Sequence, residues 1–249
     1  MTTGQDIKNT QGNVLFMILI GIALLAALTY AATRSSRGNA NLSREYALIY
    51  ATEIIKYGQS IEEAAHRIMY TGAEVGHISF ENTTVAGYDH APVEPVTNQV
   101  FHLSGGGLRY WIPKTDWLDS VLSAQPLYGE WYFPASMCVD NVGTGTATCE
   151  SDAASNEELL VVLPFIKHDI CTAINDKLGI TNPLNEPPAL SGCGWTVATP
   201  EKFVGTLSDG EGIDAAELDG KPAGCFAITA CATLAPPTSY HFYHTIVAR

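Results

Sequence analysis

Residues 14–32 read VLFMILIGIALLAALTYAA, nineteen positions without a charge, bounded by Lys8 before and Arg34 after. At about 1.5 Å of rise per residue the stretch makes a helix roughly 28 Å long, against a bilayer hydrocarbon core of roughly 30 Å. On length and composition it is a candidate membrane-spanning helix. Two other readings compete. A buried helix of a soluble core is one, although such helices seldom run so far without a polar residue. A cleaved secretory signal is the other, with Thr29-Tyr30-Ala31 as its site, although the apolar run is long and the polar leader has only Lys8 as a side-chain cation. Arg34, Arg37 and Arg44 outnumber Lys8, so the positive-inside rule alone would place the carboxyl side in the cytoplasm. The cysteines point the other way.

The chain has 249 residues, 46% of them hydrophobic, enough to bury a core after the first seventy are set aside. Residues 73–249 carry 7 Lys and Arg against 21 Asp and Glu, a net of −14. An acidic head repels phosphate backbones and anionic lipid, which argues against nucleic-acid binding. All six cysteines, Cys138, Cys149, Cys171, Cys193, Cys225 and Cys231, fall in this head, and none forms a CxxC pair. An even number behind an export-type segment reads as disulfides formed in an oxidising compartment. Local pairing is expected: Cys138 with Cys149 across a Gly- and Thr-rich stretch, Cys225 with Cys231, and Cys171 with Cys193.

After the apolar run, RSSRGNA at residues 34–40 is expected to loosen the helix, and Asn41 or Ser43 can cap a new one. Tyr46, Ile49, Tyr50, Ile54, Ala64, Ala65, Ile68 and Met69 follow helical spacing. Gly58 is expected to kink that helix, and Ser60-Ile61-Glu62-Glu63 to restart it with a capping box. Strand-like pieces follow at residues 75–80, 99–103, 108–112, 130–133, 159–163, 225–229 and 240–247, with a Ser104-Gly105-Gly106-Gly107 hairpin turn. A short helix is expected over 117–122, and a longer one opening at Pro164 and ending at Gly179. The inventory makes an α+β fold: a long N-terminal helix, transmembrane then amphipathic, packed on an antiparallel β-sheet head with disulfides.

Gly12 and Asn13 stand just before the apolar run, at the end of a short polar leader. With the amphipathic continuation and the cysteine-bearing head, this arrangement resembles type IV pilins and the pseudopilins of type II secretion, over residues 11 to about 72. The Gly-Asn start also resembles the anchors of Tad-type minor pilins. In that family a peptidase cuts after the glycine, the next residue is usually phenylalanine, and the fifth mature residue is usually glutamate. Gly12, Asn13 and Met17 hold these positions here; tip and minor subunits can lack the glutamate.

The resemblance implies processing between Gly12 and Asn13. It implies a leader over 1–12, a transmembrane helix over 13–34, an amphipathic stalk over 35–72 and a head over 73–249. It further implies an inner-membrane location with the head in the periplasm, then a place in an extracellular filament at the cell surface. The partners it implies are other copies or related pilin subunits, an inner-membrane assembly platform and a prepilin peptidase. The assembly helix would use Val14, Leu15, Phe16, Met17, Ile18, Leu19, Ile20, Leu24, Leu25 and Leu28.

The expected function is a structural filament or pseudopilus subunit rather than an enzyme. The alternatives are a membrane-anchored, adhesin-like binding module that does not polymerise, and an envelope enzyme. No GxSxG, P-loop, HExxH or Rossmann fingerprint is present. His241 and His244 form an HxxH that a strand would split between two faces. His102 near Ser104 reads as part of a turn. The loop SDGEGIDAAELDG offers Asp209, Glu211 and Asp214 as calcium ligands without EF-hand spacing, or is simply solvated; Asp140 and Asn141 are a weaker candidate. No other cofactor is implied.

Overall fold

The computed structural model describes residues 11–143, 149, 157–191, 201–208, 211–229 and 238–249, with the side chains of residues 11–15, 31–42 and 211 left aside. Contacts divide the chain into Met1–Tyr46 and Ala47–Arg249.

Helix α1 covers Gln11–Tyr70. In the first unit it carries the apolar stretch. In the second, Ala47, Ala51, Ile54, Tyr57, Ile61, Ala64, Ala65 and Ile68 form a buried stripe at three- and four-residue intervals. That spacing keeps them on one helix face, the pattern of a helix that owes its stability to packing. Gly58 does not kink it. A Cβ there would meet His244 Cβ and Cγ and Phe242 Cε1, each at 3.3 Å, so the glycine lets the helix backbone approach the sheet.

Two features of the expected fold are corrected. No helix is long and apolar enough to cross a membrane among the described residues. That finding corrects the expected transmembrane helix and inner-membrane location. Nor does a buried face run the length of the helix: among the described residues the buried stripe of α1 begins at Ala47.

The head is α+β. Strands β2 (Leu159–Ile166), β4 (Ala223–Ile228) and β5 (Ser239–Val247) form an antiparallel sheet in the order β2-β5-β4. Register runs Val161 to His244 and Leu163 to Phe242 on one side, and Cys225 to Phe242 on the other. Every residue of β2 is buried, because both sheet faces are covered. Leu159, Val161, Leu163, Phe242 and Ile246 join the α1 stripe in one core, whereas Leu160, Val162, Phe226 and Tyr243 join a second. Strand β2 continues through Pro164, so helix α2 begins later than expected, at His168, and runs to Leu178. It ends at Gly179, φ 69°, a left-handed cap that glycine adopts without a Cβ penalty. Short β1 (Met137–Val139) and β3 (Glu211–Ile213) pair in parallel.

Residues 75–112 do not form the expected strands. Val75–His77 and Val96–Asn98 are 3-10 turns, and a single bridge joins Ser79 to Gln99. Ser104 to Gly107 is not a hairpin turn: a Cβ on Gly105 or Gly106 would strike the carbonyls of Gln99 and Val100, so the loop folds back on its own backbone. The 117–122 helix is likewise two 3-10 turns, Thr115–Trp117 and Ser120–Leu122, and residues 130–133 contribute one bridge, Tyr132 to Val162. Side chains from α1 hold this strand-poor region. The Tyr57 hydroxyl donates to Arg109 O (3.1 Å) and accepts from Trp111 N–H (2.7 Å). Arg67 donates to Gly106 O, and Glu53 pairs with Lys114. Behind it, Phe80 stacks on Phe133 at 3.8 Å, with Phe203 and Tyr88 edge-on.

Cys138 pairs with Cys149 as expected, but Cys171 pairs with Cys225, which corrects the Cys171–Cys193 and Cys225–Cys231 pairings. The cause is packing: α2 lies against β4, and buried Asn175 accepts Cys225 N–H (2.8 Å) and donates to Cys225 O (2.9 Å). Cys193 and Cys231 lie outside the described residues.

Candidate functional site

The surface that departs most from an ordinary protein exterior is on the first unit. Phe16, Met17, Leu25 and Leu28 are 61%, 66%, 68% and 70% exposed, and Ile18, Leu19, Ile20, Ile22 and Leu24 are exposed with them. At 100° per residue these positions point in every direction about the helix axis. A Cβ on Gly21 would touch nothing within 4 Å. The one threonine satisfies itself, donating to Leu25 O at 2.8 Å. No Asp, Glu, Lys, Arg or His interrupts residues 16–30. Soluble monomers rarely expose contiguous apolar surface on this scale, and a helix apolar all round is ordinarily buried in something. Of the expected assembly residues, Phe16, Met17, Ile18, Leu19, Ile20, Leu24, Leu25 and Leu28 lie on this surface. Val14 and Leu15 are helical, as are Gly12 and Asn13, but their side chains fall outside the description.

Among the head's sequence candidates, the acidic loop and the Cys138–Cys149 region come together because β1 pairs with β3. Asp140 Oδ1 accepts Cys149 N–H at 2.9 Å, Gly220 N–H donates to Asp140 O, and Asn141 donates to Asp219. Asp214 accepts from Ser191 through both the backbone N–H (3.0 Å) and the hydroxyl. Asp209 and the Glu211 side chain lie outside the description. Among the described residues no group of three or more His, Cys, Asp or Glu is arranged to hold a metal ion.

His241 and His244 do face opposite sides of β5. His241 is fully buried against Phe226 and Phe165, with Ser239 Oγ at 2.7 Å, and burial pushes its pKa down to about 3. His244 meets Glu62 of α1 at 2.7 Å. At the turn, Ser104 bonds to His102 through its backbone N–H (3.1 Å), not its hydroxyl. Sequence reasoning missed the adjacent buried carboxylates Glu157 and Glu158. Glu158 accepts Val139 N–H, and burial raises its pKa to about 7. Nothing short of the fold could show that these glutamates at the mouth of β2 turn inward.

No family model matches the chain, and no curated protein or solved structure does either.

Proposed function

We propose that the protein is a structural subunit that assembles into a filament or pseudopilus-like polymer through the apolar helix of its first unit. One observation carries the reading: the uncharged surface of residues 16–30, exposed around the whole helix. Its natural occupant is the same surface of other copies, since identical apolar helices bury one another and leave each backbone hydrogen-bonded internally. The α+β head is then what the polymer displays. The two disulfides among the described residues support maturation in an oxidising compartment, periplasmic or extracellular. The order of leader, Gly12-Asn13, apolar helix and cystine-bearing head supports a pilin-like subunit, with prepilin peptidase and an assembly platform as its partners.

Electron microscopy of the full chain and of Leu19→Asp tests the reading. Filaments are expected from the native chain and none from the variant, whose head should keep its circular dichroism. Filaments built from Leu19→Asp would refute it. Mass spectrometry of the native amino terminus tests the pilin-like refinement separately: a chain beginning at Asn13 supports processing, and one beginning at Met1 opposes it.

A further inference from the structure

Three segments of the head converge on one imidazole. The His90 side chain is 4% exposed, and its ring lies edge-on to Phe203 at 5.9 Å between centroids. A Cβ on Gly205 would come within 3.0 Å of His90 Nδ1 and 3.3 Å of Cε1. Beside it, the backbones of Gly76 and Gly205 approach so closely that a Cβ on either would strike the other's carbonyl, at 2.9 and 2.8 Å. His90 thus plugs the point where segments 74–79, 85–95 and 201–208 meet.

The plug is dry. His90 Nε2 is buried with no hydrogen-bond partner among the described residues. Nδ1 is 4.0 Å from Glu94 Oε1, beyond hydrogen-bonding distance. Glu94 is committed elsewhere, accepting from His77 Nδ1 at 2.7 Å and from Asn98 Nδ2 at 2.8 Å. A neutral imidazole tolerates this seat. An imidazolium has two N–H donors and a charge to solvate, and the seat gives it only the Glu94 carboxylate at 4.0 Å, already bonded to His77 and Asn98, with no acceptor for Nε2 among the described residues.

We propose that His90 is an acid-sensitive latch: protonation of its ring expels it from between Phe203 and Gly205 and frees the 85–95 loop, uncovering the Phe80–Phe133–Phe203 cluster while the sheet stays intact. The charged groups around it do not cancel this tendency. Burial holds the His90 pKa below its ordinary value. The nearby carboxylates of Glu94 and Glu81 pull it up, and His77, itself raised by Glu94, pushes it down. From the 201–208 segment, Lys202 donates to Ala86 O at 2.8 Å and lies over the Tyr88 ring, adding a further positive charge to the same loop. A group neutral in the closed state and freer to charge in the open one favours opening as pH falls below its ordinary value of about 6.5, by up to about tenfold per pH unit.

Amide hydrogen exchange on the full chain at pH 7.5 and 5.5, corrected for intrinsic rates, reads the latch directly. Protection across residues 85–95 is expected to fall by about tenfold at the lower pH, with β2 and β5 unchanged. The His90→Gln variant should lose that pH dependence, whether its loop is closed or open. The His90 Cε1–H resonance of the native chain should titrate in step with opening. A loop equally protected at both pH values, a pH response retained in His90→Gln, or a His90 resonance that titrates while the loop stays protected would each overturn the proposal.

Discussion

Between residues 16 and 30 of α1 the large apolar side chains are exposed on every side, whereas between residues 47 and 68 they fall on one stripe and are buried. Both stretches are helical and share one element. The second has its partner within the chain: the sheet, brought close by Gly58, and a loop tied down by Tyr57, Glu53 and Arg67. The first has no such intramolecular stripe. What distinguishes them is the angular spread of apolar residues, narrow where the burying surface is a single sheet and full-circle where neighbours must come from all sides. That contrast is why the first stretch is read as the assembly element and the second as part of the head.

The largest effect should come from charging the first stretch. Leu19→Asp puts a carboxylate on a surface that assembly must desiccate, and polymer should be lost altogether while the head's thermal transition is unchanged, as scanning calorimetry can check. An equal drop in head stability would erase the distinction between the two stretches. Truncation in the second stretch should do the opposite. Ile54 is fully buried, so Ile54→Ala should destabilise the head by about 2–5 kcal/mol in denaturant titration.

Asn175→Ala sharpens the contrast within the head. It leaves Cys225 N–H and O buried without their present partner and should cost about 1–3 kcal/mol. The Cys171–Cys225 bridge should still form, as peptide mapping would show.

The smallest effects are those of pH, and they too should divide along the helix. Glu158 has a raised pKa in the fold, so folding takes up a proton between about 4.5 and about 7; its contribution is best in acid and is lost as pH rises through that window. Glu158→Gln can keep the Val139 hydrogen bond and should raise the melting temperature at pH 8 by a few degrees, with little change at pH 4. His241 works with the opposite sign. Neutral when buried, it makes the head lose stability as pH falls from about 6.5 toward about 3. Residues 16–30 contain no Asp, Glu, His, Lys or Arg, so association through them should change little across pH 5 to 8.

What could be read in the sequence was periodic. The strands at residues 159–163, 225–229 and 240–247, the Gly179 cap and the part of the α1 stripe at Ile54, Ala64, Ala65 and Ile68 follow from spacing and local chemistry, whereas Tyr46 and Ile49, expected on that stripe, are exposed and Ala47, Ala51, Tyr57 and Ile61 take the buried face. Residues 75–112 looked like strands because Phe80, Phe101 and Tyr110 favour them. Those rings instead pack on one another and on Phe133, and turns folded over glycines satisfy much of the backbone. The Cys171–Cys225 pairing spans 54 residues and depends on how α2 docks on β4, which spacing does not encode. The apolar stretch read as membrane-spanning on length and composition, whereas no helix among the described residues is long and apolar enough to cross a membrane; hydropathy is the same for lipid and for protein neighbours.

Sedimentation velocity of the full chain in detergent-free buffer, native beside Leu19→Asp, tests the central claim most directly. Large assemblies that grow with concentration are expected from the native chain and a single slow species from the variant. A native chain that sediments as a monomer with residues 16–30 intact would contradict the account.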